Sequence, residues 1–184
     1  MDILYFGKPY SFSHVAAIKR FGKENNFISM HSVKDSIDSI IQSKNYSLAV
    51  VPIENTYGGM VNETVDEFSK ERHDMGMIVK EELIMAIEPY LLGNKDMKFS
   101  EIRRIYSHEY ALKSCGKWLK ENISKARLIK LNSTSEAAER AKKENFSCAI
   151  AGLEAANHYN LRKISKIKID GKENMTAFFV LGRI

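Results

Sequence analysis

Short apolar runs alternate along the chain with segments whose apolar residues recur at every third or fourth position. Asp2–Phe6 has the first pattern and reads as a strand. Val15, Ala16, Ala17 and Ile18 then open an apolar helical face, with Ser13 as the expected N-cap and Gly22 as the stop. Phe27–His31 reads as a second strand. Ser32 with Asp35 resembles a capping box ahead of Val33, Ile37, Ile40 and Ile41, which have helical spacing. Leu48–Ile53 is uninterrupted apolar sequence, the pattern of a strand covered on both faces inside a parallel sheet. Strands and helices in alternation predict an α/β layer.

The second half repeats the scheme. Met77–Ile87 predicts a long strand, and "RRIYSH" another centred on Ile105. "EYALKSCGKWLKEN" reads as one amphipathic helix with Ala111, Leu112, Cys115, Trp118 and Leu119 on its buried side. Arg127–Leu131 is a strand, "NSTSEAAERAKKEN" a capped helix, Cys148–Ala151 a strand, "LEAANHYN" a short helix and "MTAFFVLGRI" a final strand. This order predicts a single domain, residues 1–184, built from two α/β lobes. Lobe 1 would span about 1–75 plus 170–184 and lobe 2 about 76–169, with crossings near Asp74–Val79 and Ile164–Asp170.

Composition narrows the classes. The 184 residues are 44% hydrophobic and 28% charged, enough apolar sequence to build a core without disulfides or a structural metal. Cys115 and Cys148 lie in apolar segments too far apart for a zinc or redox motif, so reduced thiols are expected. "MDILYFGK" lacks the basic start of a signal peptide and no apolar stretch reaches membrane-span length. A cytoplasmic location with no membrane partner is the expectation. The net charge of +5 is dispersed among acids, as in "KEELIM" and "AKKENF", which argues against a nucleic-acid partner and suits a small anionic substrate. His14, His31, His73, His108 and His158 have no ligand-like spacing to one another, so no metal is expected.

The candidate chemistry sits where strands give way to helices. In "VVPIENTYGGMVNETVD" a core strand ends in a carboxylate, an amide and a hydroxyl, followed by two glycines. Three such turns carry hydroxyls or glycines: Ser11 and Ser13; Thr56 with Gly58 and Gly59; and Ser133, Thr134 and Ser135. Each singly is also what helix capping demands. Together they predict one cleft receiving an anion, because helix N-termini offer unpaired amides beyond the carboxyl ends of the strands.

These residues resemble the prephenate dehydratase family. Its signature runs Pro-Ile-Glu-Asn-Ser/Thr, then glycine, valine, threonine and aspartate, and is matched by Pro52, Ile53, Glu54, Asn55, Thr56, Gly59, Val61, Thr64 and Asp66. "GKPYSFSHVAA" is similar to the family's first turn through Gly7, Ser11, Phe12, Ser13, Ala16 and Ala17. "YSHEYALKSC" resembles its His-x-x-Ala-Leu helix, "NSTSEAAERA" its Ser-Thr-x-x-Ala-Ala turn, and "NMTAFF" stands where the family has Asn-x-Thr-Arg-Phe. The resemblance covers nearly the whole chain. It implies a two-lobed fold like the type-2 periplasmic binding proteins, with mixed sheets and an inter-lobe cleft. It also implies conversion of prephenate to phenylpyruvate in phenylalanine biosynthesis, without cofactor or metal.

By the same resemblance Thr176 is the catalytic hydrogen-bond donor, Asn55 and Thr56 orient the substrate, and Ser133 and Thr134 bind a carboxylate. Glu54 supplies a proton if it is buried, or is otherwise a structural carboxylate. Ser11, Ser13, Gly59, His108 and Phe178 complete the expected substrate contacts. Five positions depart from the family pattern. Lys8 and Tyr10 replace a proline and a glycine, Ser114 replaces a glutamine, Pro89 a histidine, and Ala177 the arginine after the threonine. The last change removes a bidentate carboxylate clamp and keeps open a prephenate decarboxylase, an arogenate dehydratase or a non-catalytic anion-binding protein. The chain ends at Ile184 without the family's frequent phenylalanine-sensing ACT domain, so no allosteric response to phenylalanine is expected; a homo-oligomer is left open.

Overall fold

The computed structural model describes residues 1–42, 47–70, 75–169, 171 and 173–184. His73 and the expected crossing points Asp74 and Asp170 lie outside them. The chain divides into two compact units, Met1–Ala86 with Met175–Ile184, and Ile87–Asn174.

In the first unit, β1 (Asp2–Phe6), α1 (Phe12–Phe21), β2 (Asn26–Met30), α2 (Val33–Gln42) and β3 (Ser47–Asn55) follow one another as the alternating pattern predicts. β4 (Gly59–Met60), α3 (Asn62–Phe68) and β5 (Met77–Ala86) complete its first stretch, and β11 (Met175–Arg183) returns to it at the end of the chain. The sheet has the order β2-β1-β3-β11-β5, with β4 attached to β3. β1 lies parallel to β2 and β3, whereas β11 is antiparallel to both β3 and β5. Leu48–Ile53 is therefore central in a mixed sheet rather than a parallel one. Apolar clusters cover both faces, one of Leu4, Val33, Ile37, Ile40, Ala49 and Val51 and another of Ile3, Ala16, Ala17, Val50, Phe178 and Val180.

The boundary between units falls later than the pattern suggests, after Ala86 rather than near 75, and before Met175 rather than near 170. β5 accounts for the first shift. Its apolar residues are interrupted by the run Lys80, Glu81 and Glu82, and it is an edge strand paired from Met77 to Ala86 with β11. A strand that follows a loop need not start a new sheet.

The second unit holds β6 (Tyr90–Gly93), β7 (Arg104–His108), α4 (Glu109–Ser114), α5 (Gly116–Asn122), β8 (Arg127–Leu131), α6 (Thr134–Lys143), β9 (Ser147–Ala151), α7 (Leu153–His158) and β10 (Arg162–Lys166). Its sheet runs β10-β6-β9-β7-β8, with β7 parallel to β8 and β9, and β6 antiparallel to β9 and β10. The expected single helix over 109–122 is two short ones divided at Cys115. Gly116 follows the break, and glycine is about 1 kcal/mol poorer than alanine within a helix. Cys115 and Cys148 both lie in the core around Leu91, Ile105 and Ile150, where burial pushes their thiols up to about 11 and about 12. They are inert at neutral pH.

Candidate functional site

The polar end of β3 is a clamp on the start of β11. Asn55 is buried, and its Nδ2 donates to the Met175 carbonyl (3.0 Å) and to Thr176 Oγ1 (2.9 Å). Its Oδ1 accepts from the amides of Tyr57 (3.0 Å) and Gly58 (2.9 Å). Both donors and both acceptor positions of the amide are thus engaged within the protein. Thr56 grips the same segment: its amide donates to the Met175 carbonyl (3.0 Å), and its hydroxyl accepts from the Met175 amide (3.0 Å). Asn55 and Thr56 are therefore built to hold the start of β11 and, with it, to orient Thr176. Thr176 Oγ1 accepts from Asn55, and no described residue accepts its proton. A hydroxyl whose lone pair is taken and whose proton is unclaimed is set to donate.

The rest of the motif supports this clamp. Thr64 is fully buried and donates to the Pro52 carbonyl (2.6 Å), tying α3 to the end of β3. Glu63 of the same helix accepts from the Val33 amide (2.8 Å) and so caps α2. Gly59 has φ +72°, a left-handed conformation that glycine adopts without cost, and it pairs with Asn55 across the β3–β4 turn. The glycine closes that turn.

Two expectations change. Glu54 is exposed, so the burial on which its proton-donor role depended is missing. It faces Ala177 on β11 and Met60 on β4. Successive strand residues point to opposite faces, so Ala177 lies on the face away from Thr176, and an arginine there would meet Glu54 across the strands. Phe178 is 1% exposed within the core cluster of Ile3, Ala16 and Val50, and is a packing residue rather than a substrate contact.

At the head of α1 the N-cap is Ser11, not Ser13. Ser11 Oγ accepts from the His14 amide (3.4 Å) and donates to the Phe6 carbonyl (3.2 Å). Ser13 is buried in the first helical turn. The preceding residues form a turn closed by the Ser11 amide on the Lys8 carbonyl (3.0 Å), with Pro9 second and Tyr10 third. Tyr10 has φ +64°, as the third position of a type II turn demands. For a residue with a Cβ this costs about 1–2 kcal/mol.

In the second unit, β7 and β8 each run into a capped helix. His108 is the N-cap of α4; its Nδ1 accepts from the Tyr110 amide (3.3 Å), and burial holds its imidazole below the ordinary pKa. It is a neutral ring protonated at Nε2. Ser133 caps α6 by accepting from the Glu136 amide (3.0 Å), and Ser133 and Thr134 are both buried there. β7 and β8 are parallel neighbours with His108 opposite Leu131, so the heads of α4 and α6 lie at the same end of this sheet. Among the described residues no group of three or more His, Cys, Asp and Glu could hold a metal ion, and no helix is long and apolar enough to cross a membrane.

A family model described as prephenate dehydratase matches residues 3–184. The bifunctional chorismate mutase/prephenate dehydratase of Pseudomonas aeruginosa is 34% identical over 182 residues, covering 99% of this chain and 48% of that protein. The prephenate dehydratase of Lactococcus lactis is 34% identical over 185 residues, covering 100% of this chain and 64% of that protein. The chain thus spans about half to two thirds of the length of these curated relatives. Among solved structures, the prephenate dehydratase from Arthrobacter aurescens in complex with L-Phe has a TM-score of 0.88 at 21% identity, over 100% of this chain and 61% of that one. A putative methionine-binding lipoprotein from Bacillus subtilis has a TM-score of 0.51 at 8% identity, over 99% and 83% of the two chains. Both show the fold, an α/β architecture shared with periplasmic-binding-protein-like molecules.

Proposed function

We propose that this chain, which belongs to the prephenate dehydratase family, converts prephenate to phenylpyruvate. The observation that carries the reading is Thr176, oriented by Asn55 with its hydroxyl proton unclaimed among the described residues. In the reaction the ring carboxylate leaves as carbon dioxide, and the electrons of that bond shift through the diene to expel the ring hydroxyl. One proton joins the departing hydroxide to give water, and aromatisation drives the step. Charge develops on the leaving oxygen, so a fixed donor placed there stabilises the transition state more than the ground state. A threonine hydroxyl is too weak an acid to protonate the group beforehand. Its role is to donate a hydrogen bond as the charge appears, with the proton supplied through solvent.

In this reading each unit, taken by itself, offers a helix head that suits a carboxylate. In the first it is the head of α1 at Ser11 and Ser13; in the second it is the head of α6 at Ser133 and Thr134, with His108 adding a neutral N–H at the head of α4. A neutral donor suits a carboxylate that has to depart, because a cation would hold it too firmly. We place the reaction in the cytoplasm as part of the same proposal; the buried, unpaired cysteines suit a reducing compartment.

The test is product analysis. Purified protein is incubated separately with prephenate and with arogenate. Phenylpyruvate from prephenate, with one carbon dioxide released per turnover, supports the reading. Decarboxylation that leaves the hydroxyl on the ring, or activity on arogenate alone, overturns it.

A further inference from the structure

We propose that His14 is a positioning residue, whose Nδ1 latches the Tyr10 amide and so holds the entry to α1 in shape. The inference rests on the function proposed above, in which the head of α1 receives part of the substrate. It begins from the left-handed turn at Tyr10, where a side-chain-bearing residue occupies a position that suits glycine. Such a turn persists only if its surroundings hold it.

His14 makes that hold. The Tyr10 amide donates to His14 Nδ1 at 2.8 Å, and the two rings meet edge-on with centroids 5.4 Å apart. His14 is itself fixed on three sides. It stacks on Tyr5 of β1 (4.2 Å, 17°), meets Phe27 of β2 edge-on (5.3 Å), and its own amide donates to Ser11 Oγ. One residue therefore joins the helix cap to the turn: its backbone is capped by Ser11 while its side chain secures the residue before Ser11. An aromatic ring without a nitrogen could fill the same space, but could not accept the Tyr10 amide. The bond also fixes the tautomer, with the Nδ1 lone pair bare and the proton on Nε2.

The test uses His14→Phe, Tyr10→Gly and the double variant in the whole chain. His14→Phe keeps the stacking and removes the acceptor, so KM for prephenate should rise about tenfold with kcat changed little. Adding Tyr10→Gly should bring KM back to within about threefold of the unaltered protein, because glycine adopts the turn unaided. Equal losses from His14→Phe with tyrosine or glycine at position 10 would mean that His14 only packs, and would overturn the proposal. Two readouts stand apart from catalysis. The melting temperature should fall more from His14→Phe when position 10 is tyrosine than when it is glycine, and imidazole nitrogen shifts of the unaltered protein should show the proton on Nε2. A proton on Nδ1 overturns the latch whether or not His14→Phe folds. Absence of any turnover of prephenate, with the tautomer and melting cycle as expected, would sink the proposed function and leave the latch standing.

Discussion

Asn55→Asp separates orientation of Thr176 from every other duty of the motif. The substitution is nearly isosteric and exchanges the Nδ2 donor for a carboxylate oxygen. The acceptor side survives, because a carboxylate still takes the amides of Tyr57 and Gly58. The donor side is lost twice. The Met175 carbonyl faces an oxygen instead of an N–H, and the bond to Thr176 reverses, with the threonine donating its proton to the new carboxylate. The proton intended for the leaving hydroxyl is then spent inside the protein. Loss of one such aligned donor costs on the order of a hundredfold or more in kcat, roughly 3 kcal/mol. KM for prephenate should change by less than about threefold, since Asn55 has no position left for substrate. The Met175 carbonyl keeps the Thr56 amide but now faces a carboxylate oxygen in place of a donor, which should also destabilise the fold by about 1–3 kcal/mol. For a chain of this size that lowers Tm by about 2–10 °C, small enough to assay the folded variant at about 25 °C. The measurement is steady-state formation of phenylpyruvate alongside thermal unfolding. A kcat within about threefold of the unaltered protein, or a large rise in KM with kcat intact, would refute the assignment of Asn55 to Thr176 rather than to substrate.

Further outcomes follow from corrected positions. Ala177→Arg should leave KM for prephenate unchanged, because the new cation meets exposed Glu54 on the face away from Thr176; steady-state kinetics checks this, and a markedly lower KM would reject the facing. Phe178→Ala should cost about 3–5 kcal/mol in chemical denaturation, as loss of a fully buried ring does, with kcat altered only through the folded fraction. Gly59→Ala should destabilise by about 1 kcal/mol through its left-handed φ alone, since an added Cβ has open space around it, and thermal melts report the shift. Burial lowers the folded-state pKa of His108, so the unfolded chain takes up the proton first as pH falls below about 6.5. Stability should drop through that window and level off once the folded form also protonates. His108→Gln should flatten the drop in a series of melts between about pH 7 and pH 5.

Much of the fold is legible in the pattern because each strand announces itself by burial. Asp2–Phe6, the core of β3, Arg104–His108 and the last strand stand close to their expected bounds. β6 and β10 escape notice for opposite reasons. Tyr90–Gly93 is only four residues long and follows Pro89, while Arg162–Lys166 is an edge strand whose charges hide its period. The membership of β5 could not be read locally, since pairing with β11 joins residues about a hundred positions apart in sequence.

The site was legible as chemistry but not as wiring. The polar cluster at Glu54–Thr56 signals a special strand end, yet nothing in its sequence says that Asn55 reaches Met175 and Thr176 rather than a ligand. Alternation within the strand does separate Glu54 from Asn55 and Thr176 from Ala177, and that signal would have placed Glu54 and Ala177 outside. His14 gave no signal at all. Its importance depends on the sign of φ at Tyr10, which becomes suspicious only beside a family pattern with glycine there.

The central claim is that the Thr176 hydroxyl assists departure of the ring hydroxyl. Thr176→Val tests it most directly, because valine is nearly isosteric, favours a strand, and lacks only the donor. Phenylpyruvate formation from prephenate should fall on the order of a hundredfold in kcat, with KM little changed and the melting curve close to that of the unaltered protein. Full activity in a folded Thr176→Val protein would contradict the account and remove this residue from the mechanism.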